Sequence, residues 1–341
     1  MTAKHDDLRA RAMQSLAGAG LLNVAFVGIS GGLFEALARL GRASADELAR
    51  EAGVDRGYVE RWCDAAFAFE LLDTQGGTFA LAPLGEAFRP SAEGTLMPMA
   101  VGAVLGAHMA ERAAGLMRTG ERPGEVVLTE RPTILPLFGP MLEAQFGPFF
   151  ERFVLPAVPA FAEVDARGGL VVDLGCGNGW YLRRLAGRYA RLRGVGLDMF
   201  PENVAQASAR AAEQSLADRL SFREGDIHRF AVDEPADLVA MSRALHHVWM
   251  ERGEVLHTIR EHLGPGGYVV IWEPAWPDDR AALRAPEMRG VALQNLAEHV
   301  QGNRFLRPQE IAEALRGAGF EPEVHLLAGG REAVVTGVKR A

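Results

Sequence analysis

From residue 169 to residue 274, short apolar runs of strand length alternate with segments of helical character. Runs such as GLVVDL and YVVIWEP are continuously apolar, which is typical of strands that are buried on both faces. Parallel strands need crossover connections, and the helical segments supply them. The alternation therefore predicts an α/β protein with a doubly wound sheet, which a helix over 308–317 and a terminal pair of strands complete.

The first 95 residues show helical periodicity followed by a hairpin signal. Ser44 and Glu47 match a capping box for a helix that starts near residue 45, and Asp55 is placed to cap a second helix. The stretch LLDTQGGTFALAP then predicts a hairpin that turns at two glycines. Two helices and a hairpin make a winged helix. Because the charges of its second helix balance, a structural or dimerisation role is favoured over DNA binding.

Composition restricts the class of protein. The formal net charge of −8 argues against a protein that binds nucleic acid or anionic membranes. Cys63 and Cys176 are the only cysteines, so neither a disulfide framework nor a cysteine-based zinc motif is indicated, and a reducing cytoplasm is the expected location. The segment 16–34 approaches the length of a membrane span. Its glycines and polar residues favour a helix that is buried in a domain or subunit interface.

Prolines interrupt the helical pieces of residues 96–165, and several phenylalanines lie between them. This segment is either core beneath a linker or the roof of a pocket, and the sequence leaves both open. The expected organisation has three parts. They are a mainly helical winged-helix dimerisation domain (1–95), a helical linker or lid (96–165) and a cofactor-binding catalytic domain (166–341).

The stretch LVVDLGCGNGW, residues 170–180, predicts a buried strand that ends at Asp173, a loop with Gly175, Gly177 and Gly179, and a helix. Glycines let the backbone approach a ligand closely, and the helix start offers N–H groups and partial positive charge. A dinucleotide site favours the spacing G-x-G-x-x-G, which seats a pyrophosphate, whereas this loop has G-x-G-x-G. The carboxylate at the strand end repels a pyrophosphate. A positively charged cofactor therefore fits better than NAD.

Acidic residues also end the next two strands. Asp198 ends GVGLDM, where a carboxylate accepts hydrogen bonds from two ribose hydroxyls, and Asp226 is placed to accept from an adenine amino group. The fourth strand ends in SRALHH. Because open α/β sheets bind ligands at the carboxyl ends of their strands, we expect these residues to line one site.

The motifs VVDLGCGNG, EGDIH and LGPGGYVVIWE, together with Asp198, resemble those of class I S-adenosylmethionine-dependent methyltransferases. The N-terminal part resembles the dimerisation region of small-molecule O-methyltransferases, which implies a homodimer with a Rossmann-like catalytic sheet. The resemblance also implies the contacts with S-adenosylmethionine. Asp173, Gly175 and Gly177 would line its methionine end, Asp198 its ribose, Asp226 and Ile227 its adenine, and Ser242 and Arg243 the border of the methyl-transfer pocket.

Two adjacent histidines follow the fourth strand. Neighbours on a regular strand point to opposite faces, so either His246 and His247 have different tasks or the strand has ended and both face a site. Small-molecule O-methyltransferases commonly have Leu-His-Asp-Trp here, with the histidine as general base. The resemblance therefore implies that His246 is the base and that His247 replaces the usual Asp. Two imidazoles also suit a divalent metal.

A third histidine is expected to face the same site. At helical spacing, His299 lies on the same side as the apolar residues Met288, Ala292 and Leu296, while Glu298 leans away from that side. The helix therefore predicts an inward-facing His299, which is either a hydrogen-bonded core residue or a metal ligand.

The adjacent pair and a later histidine also resemble the metal-dependent α-keto acid C-methyltransferases of natural-product pathways. This resemblance implies a zinc, iron or nickel ion held by His246, His247 and His299. Glu273, at the end of VVIWEP, is a hydrogen-bonded strand end, a base or a fourth ligand. The metal would chelate a 2-oxo acid and stabilise the enolate whose carbon receives the methyl group, and Arg243 is a candidate for binding the acid's carboxylate. The alternative is metal-free O-methylation of a small hydroxylated molecule, with His246 or His247 as general base.

Overall fold

The computed structural model describes residues 3–124 and 126–340, which fall into two compact units. The first unit ends at Arg112 and also includes Leu128–Ala144, and the second comprises Ala113–Val127 and the chain from Gln145 onward. The segment 96–165 is therefore divided between the two units. The physical reason is that Met97 and Val101 belong to the core of the first unit, whereas Phe150 and Phe161 pack on Tyr181 of the second.

The first unit is mainly helical and contains one hairpin. Its elements are α1 (Ala3–Ser30), α2 (Leu33–Leu40), α3 (Ala45–Ala52), α4 (Arg56–Ala68), β1 (Leu72–Gln75), β2 (Thr78–Leu81), α5 (Pro83–Ala87), α6 (Met97–Leu116), α7 (Val126–Thr129) and α8 (Leu135–Phe149), of which α6, α7 and α8 extend into the second unit.

The caps and the turn that the sequence predicts in this unit are present. Ser44 and Glu47 form the capping box of α3, the Asp55 carboxylate accepts from the backbone N–H of Tyr58 at 3.0 Å, and the hairpin turns at Gly76 and Gly77. The core between α2 and α4 includes an edge-to-face contact of Phe34 with Trp62, whose ring centroids are 5.5 Å apart.

Helix α1 is more exposed than the sequence suggests. Ala25, Phe26 and Ile29, near its carboxyl end, are buried, whereas its apolar residues nearer the amino end face outward. By length and composition alone, His5–Ser30 is able to cross a membrane, and 22% of its most apolar window is buried. One helix of this kind is weak evidence for a membrane span. The predicted burial within the domain holds only for its last turns.

The second unit contains the α/β fold. A π-helical turn (Phe150–Val154) precedes α9 (Leu155–Ala157), α10 (Ala160–Arg167), β3 (Leu170–Leu174), α11 (Trp180–Arg188), β4 (Arg193–Asp198), α12 (Pro201–Glu213), β5 (Leu220–Glu224), β6 (Ala236–Ser242), α13 (Arg252–His262), β7 (Leu263–Pro274), α14 (Arg289–Val300), α15 (Pro308–Gly317), β8 (Phe320–Leu327) and β9 (Glu332–Lys339).

These strands form one seven-stranded sheet in the order β5-β4-β3-β6-β7-β9-β8. The first five strands of that order are parallel, whereas β9 is antiparallel to β7 and β8 is antiparallel to β9. Val172, Val239 and Ile271 are fully buried in the core on the sheet. This is the predicted Rossmann-like fold, and its parallel strands bring the ends of β3, β4, β6 and β7 to one edge.

Candidate active site

The glycine loop after β3 has a backbone that side chains rarely adopt. Gly175, Gly177 and Gly179 have φ angles of 73°, 52° and 75°. A Cβ atom on Gly175 would lie 3.1 Å from the Cβ of Ala244, and one on Gly179 would lie 2.6 Å from the ring of Phe222. The loop therefore requires glycine for its conformation at all three positions and for space at two of them.

Asp173 lies at the end of β3 with a carboxylate that has no internal partner. It is buried, and neither of its oxygens accepts a hydrogen bond from any residue in the described part of the chain. Burial, and then the charge of Asp198, raise the pKa of its carboxyl to about 8. A buried carboxyl without a partner fits a ligand that brings positive charge or donors, and the ammonium and sulfonium groups of S-adenosylmethionine meet that need.

Asp198, at the end of β4, is held inside the loop. One carboxylate oxygen accepts from the backbone N–H of Gly177 at 2.8 Å, and the other accepts from the backbone of Phe200 and the amide of Asn203, both at 3.0 Å. This carboxylate thus connects the glycine loop with the start of α12. It is at the place where the sequence predicts a ribose contact.

Asp226 and Ile227 follow β5. The carboxylate of Asp226 accepts from the backbone N–H of His228 at 2.9 Å and lies 2.7 Å from its Nδ1, and these contacts lower the pKa of Asp226. The side chain of Ile227 is partly buried and would lie 3.7 Å from a Cβ on Gly175. Ile227 therefore borders the glycine loop.

Ser242 and Arg243 end β6 in unusual environments. The Ser242 hydroxyl is buried and has no hydrogen-bond partner within residues 3–124 and 126–340. Arg243 has a φ of 57°, which is rare for a residue with a side chain. Its Nη1 donates to Glu332 at 2.7 Å, and the guanidinium carbon is 4.0 Å from the centre of the Phe146 ring. Arg243 therefore has an internal carboxylate partner, which the sequence did not indicate.

His246 and His247 lie beyond the regular strand. β6 ends at Ser242, and both histidines belong to a short 3-10 helix, Leu245–Glu251. Their ring centroids are 4.1 Å apart. Of the two possibilities that the sequence leaves open, the irregular one is therefore correct, because the end of the strand lets both rings lie side by side.

The imidazole of His246 is held between two carboxylates. Glu273 accepts from the His246 backbone N–H at 3.1 Å and lies 2.6 Å from its Nδ1, while Nε2 is 3.6 Å from Glu298 and has no hydrogen-bond partner among the described residues. Burial lowers the pKa of His246, but the two carboxylates outweigh it and raise the pKa to about 10. Without a ligand, the ring therefore carries a proton at neutral pH.

Glu298 takes the place at which the sequence predicts His299. Glu298 is buried, and its carboxylate and one ring nitrogen each of His246 and His247 lie within 4.8 Å of one another, whereas His299 is exposed. The inward stripe of α14 runs through Val291, Asn295 and Glu298. The expectation that His299 faces inward is wrong because the helix is turned by one residue, about 100°, from the orientation that its apolar residues suggest.

The sequence reasoning also missed Glu332 and Asn303. Glu332 starts β9 and accepts from both Arg243 and the indole of Trp272, and the amide of Asn303 lies 2.8 Å from Nδ1 of His247. Glu332 pairs with Pro274 in the sheet register, so its position follows from the antiparallel strand next to β7. A prediction that β9 pairs with β7 would have placed Glu332 beside the end of β7. For Asn303, the turn after α14 gives no signal without the structure.

Comparisons with known proteins agree with this geometry. A family model described as a methyltransferase domain matches residues 171–267. The chain is 27% identical to a 3-amino-4-hydroxybenzoate 4-O-methyltransferase of Streptomyces cremeus over 80% of this chain and 75% of the relative. It is 32% identical to a trans-aconitate 2-methyltransferase of Streptomyces avermitilis over 52% of this chain and 67% of the relative.

Solved structures share the whole fold. The chain is similar to human N-acetylserotonin methyltransferase in complex with S-adenosylmethionine, with a TM-score of 0.75, 21% identity and full coverage of both chains. This structural similarity shows the fold, and the matches in sequence show the family. Together with the glycine loop, the orphaned Asp173 and the acidic strand ends, they show that the chain belongs to the class I S-adenosylmethionine-dependent methyltransferases.

Proposed function

We propose that this methyltransferase methylates a hydroxyl oxygen of a small aromatic molecule, with His246 as the imidazolium that pairs with the ionised acceptor oxygen. The observation that carries the proposal is the environment of His246. Glu273 holds Nδ1 at 2.6 Å and leaves Nε2, buried and without a hydrogen-bond partner in the described chain, for an acceptor. The similarity to an enzyme that is named as a 4-O-methyltransferase of a hydroxybenzoate supports the same reaction.

Different residues at the sheet edge would bind the cofactor and the acceptor. Asp173, Asp198 and the loop from Gly175 to Gly179 would hold S-adenosylmethionine, which supplies an electrophilic methyl group when bound. His246 then lies beyond the end of β6, where it pairs as an imidazolium with the ionised acceptor oxygen, and Glu273 and Glu298 stabilise that charge. Because His246 already carries a proton in the unliganded protein, the acceptor enters as its phenolate, with its hydroxyl proton released to solvent.

The test is methylation of 3-amino-4-hydroxybenzoate and its positional isomers by the purified protein, with the product's methyl position determined by NMR. We expect an O-methyl product, and we expect His246→Gln to lower kcat by about 10²-fold or more, because the charged donor that stabilises the acceptor oxygen is lost. His257→Gln is the matched control, because His257 is exposed on α13 and pairs with Glu261. A methyl group on carbon, or full activity in His246→Gln, would exclude the proposal.

A second candidate is metal-assisted C-methylation of a 2-oxo acid, and the observation that favours it is the group of His246, His247 and Glu298. Two imidazoles and one carboxylate are a donor set that zinc and non-haem iron accept. In this hypothesis the third ligand is Glu298 and not His299, and Glu273 orients the His246 ring through its contact with Nδ1. A bound ion would supply a Lewis acid for the ketone oxygen.

Metal analysis separates the two candidates. In metal-assisted C-methylation, the purified protein holds one zinc, iron or nickel ion per chain, and a chelator removes both the ion and the methylation of 2-oxo acids such as phenylpyruvate. In metal-free O-methylation, the chelated protein keeps its full rate on the hydroxybenzoate.

A further inference from the structure

The turn that follows α14 brings two carboxamides to the histidine pair. The backbone N–H groups of Gln301 and Asn303 both donate to the carbonyl of Glu298 at 2.9 Å, and Gly302, with a φ of 88°, makes the reversal between them. The side-chain amide of Gln301 donates to the Glu298 carboxylate at 3.2 Å. The turn therefore folds back over the carboxylate that lies next to His246.

Asn303 contacts Nδ1 of His247, and Glu273 contacts the same atom of His246, but the amide donates whereas the carboxylate accepts. The amide nitrogen of Asn303 lies 2.8 Å from Nδ1 of His247, and a carboxylate oxygen of Glu273 lies 2.6 Å from Nδ1 of His246. A partner on one ring nitrogen decides which nitrogen carries the proton and how the ring is turned. Each imidazole thus has its Nδ1 fixed by a residue from another element, β7 for His246 and the turn after α14 for His247.

We propose that Asn303 is a positioning residue that sets the tautomer and the ring orientation of His247, so that this ring and His246 face the same ligand. The inference rests on the proposed role of the histidine pair in the active site. The amide N–H of Asn303 donates to Nδ1, which leaves the ring proton of His247 on Nε2. Nε2 of His247 is then the hydrogen-bond donor beside the ring of His246.

The chemistry of the contact also predicts what a carboxylate does in its place. Aspartate is nearly the size of asparagine but only accepts hydrogen bonds. Asn303→Asp therefore draws the proton of His247 to Nδ1, whereas Asn303→Ala removes the hydrogen bond to Nδ1. The two variants change the tautomer in different ways, which loss of packing alone does not do.

The experiment is ¹⁵N NMR of the full-length protein with labelled histidine, in which His247→Gln assigns the His247 signals. We expect one tautomer with the proton on Nε2 in the wild type, a mixture in Asn303→Ala and a proton on Nδ1 in Asn303→Asp. This readout needs neither acceptor nor metal, so it stands even when the hydroxybenzoate is not methylated. Unchanged His247 signals in Asn303→Ala would overturn the inference.

Activity supplies the second readout. Residues that orient an active-site histidine from behind contribute about 10–100-fold, so Asn303→Ala is expected to lower kcat/KM on the accepted substrate by that factor. Asn295→Ala is the matched control for packing. This amide lies on α14, accepts from the backbone N–H of Phe305 at 2.7 Å, and makes no hydrogen bond to either imidazole in the described part of the chain, although Phe305 packs on the edge of His246. An equal loss of activity in both variants would reduce Asn303 to a structural residue and contradict the proposal.

Discussion

Glu298 and His299 are neighbours on α14 with opposite environments. Glu298 is 6% exposed and lies beside the ring of His246, whereas the side chain of His299 faces outward. We predict that Glu298→Gln lowers kcat/KM by about 10²-fold, because the charge that stabilises the imidazolium is lost from a buried site. His299→Gln is the matched control and is expected to stay within twofold of the wild type. Steady-state kinetics on one acceptor measures both.

The same pair of variants tests the metal-assisted alternative. With Glu298 as a ligand, Glu298→Gln loses the bound ion and His299→Gln keeps it, as metal analysis of the purified variants would reveal. A normal rate in Glu298→Gln together with an inactive His299→Gln would contradict the geometry of α14.

Asp173 predicts how the stability of the unliganded protein depends on pH. The pKa of its carboxyl is about 8 in the folded protein and about 4 in an unfolded chain. The folded state therefore keeps a proton that the unfolded chain has lost above pH 4, so this stabilising contribution is complete below pH 4 and is lost as the pH rises to 8. Relative to Asp173→Asn, the free energy of unfolding of the wild type should fall by up to about 1.4 kcal/mol per pH unit in that window.

Urea unfolding of both proteins at pH 5 and pH 7.5, without cofactor, measures this difference. Calorimetry adds a second test, since Asp173→Asn should bind S-adenosylmethionine more weakly once the cationic ligand has lost its carboxylate partner. A difference in unfolding free energy that is the same at both pH values would show that Asp173 is ionised in the unliganded protein.

At the scale of elements, the glycine loop requires glycine for two reasons, which are positive φ angles and the lack of room for a Cβ atom. Gly177 and Gly179 share positive φ angles, but a Cβ on Gly177 meets no atom within 4 Å, whereas one on Gly179 lies 2.6 Å from Phe222 and 2.9 Å from Ala207. Gly177→Ala is expected to cost about 1–2 kcal/mol of unfolding free energy through its left-handed backbone. Gly179→Ala adds an overpacking cost of about 1–3 kcal/mol. Urea unfolding of the two variants and the wild type tests the order, and equal costs would contradict it.

The elements also show what the sequence was able to predict. The alternation of strands and helices, the capping box of α3 and the hairpin glycines were correct, because each is a local signal. The prediction of which face of α14 is buried was wrong. Leu293 and Leu296 are apolar and yet exposed, while Glu298 is buried. Which face of a short helix is buried depends on its tertiary neighbours, and a buried carboxylate that pairs with a histidine opposes the hydrophobic pattern.

The structure brings some of the residues predicted for the site close together and adds partners that the sequence did not connect with them. Asp173 and Asp198 lie at adjacent strand ends, because two parallel strands carry their carboxyl ends to one edge. Glu273 was a candidate from the sequence because it lies near the end of β7, the strand next to β6, whereas no spacing in the sequence connects Asn303, in the turn after α14, with His247. Arg243 lay where the motif put it, but its pairing with Glu332 depends on the antiparallel strand β9.

At the scale of the whole molecule, the outward apolar face of α1 argues for a second copy of the chain. Leu16 is 65% exposed, and Leu8, Met13 and Val27 on the same helix are also exposed. A row of apolar side chains of this length is costly in water, so burial against a partner is the expected state. We predict that light scattering gives twice the 36.8 kDa chain mass, and that Leu16→Glu gives the mass of one chain. Leu326→Glu, at a similarly exposed site on β8, should stay dimeric, and a dimeric Leu16→Glu would place the interface elsewhere.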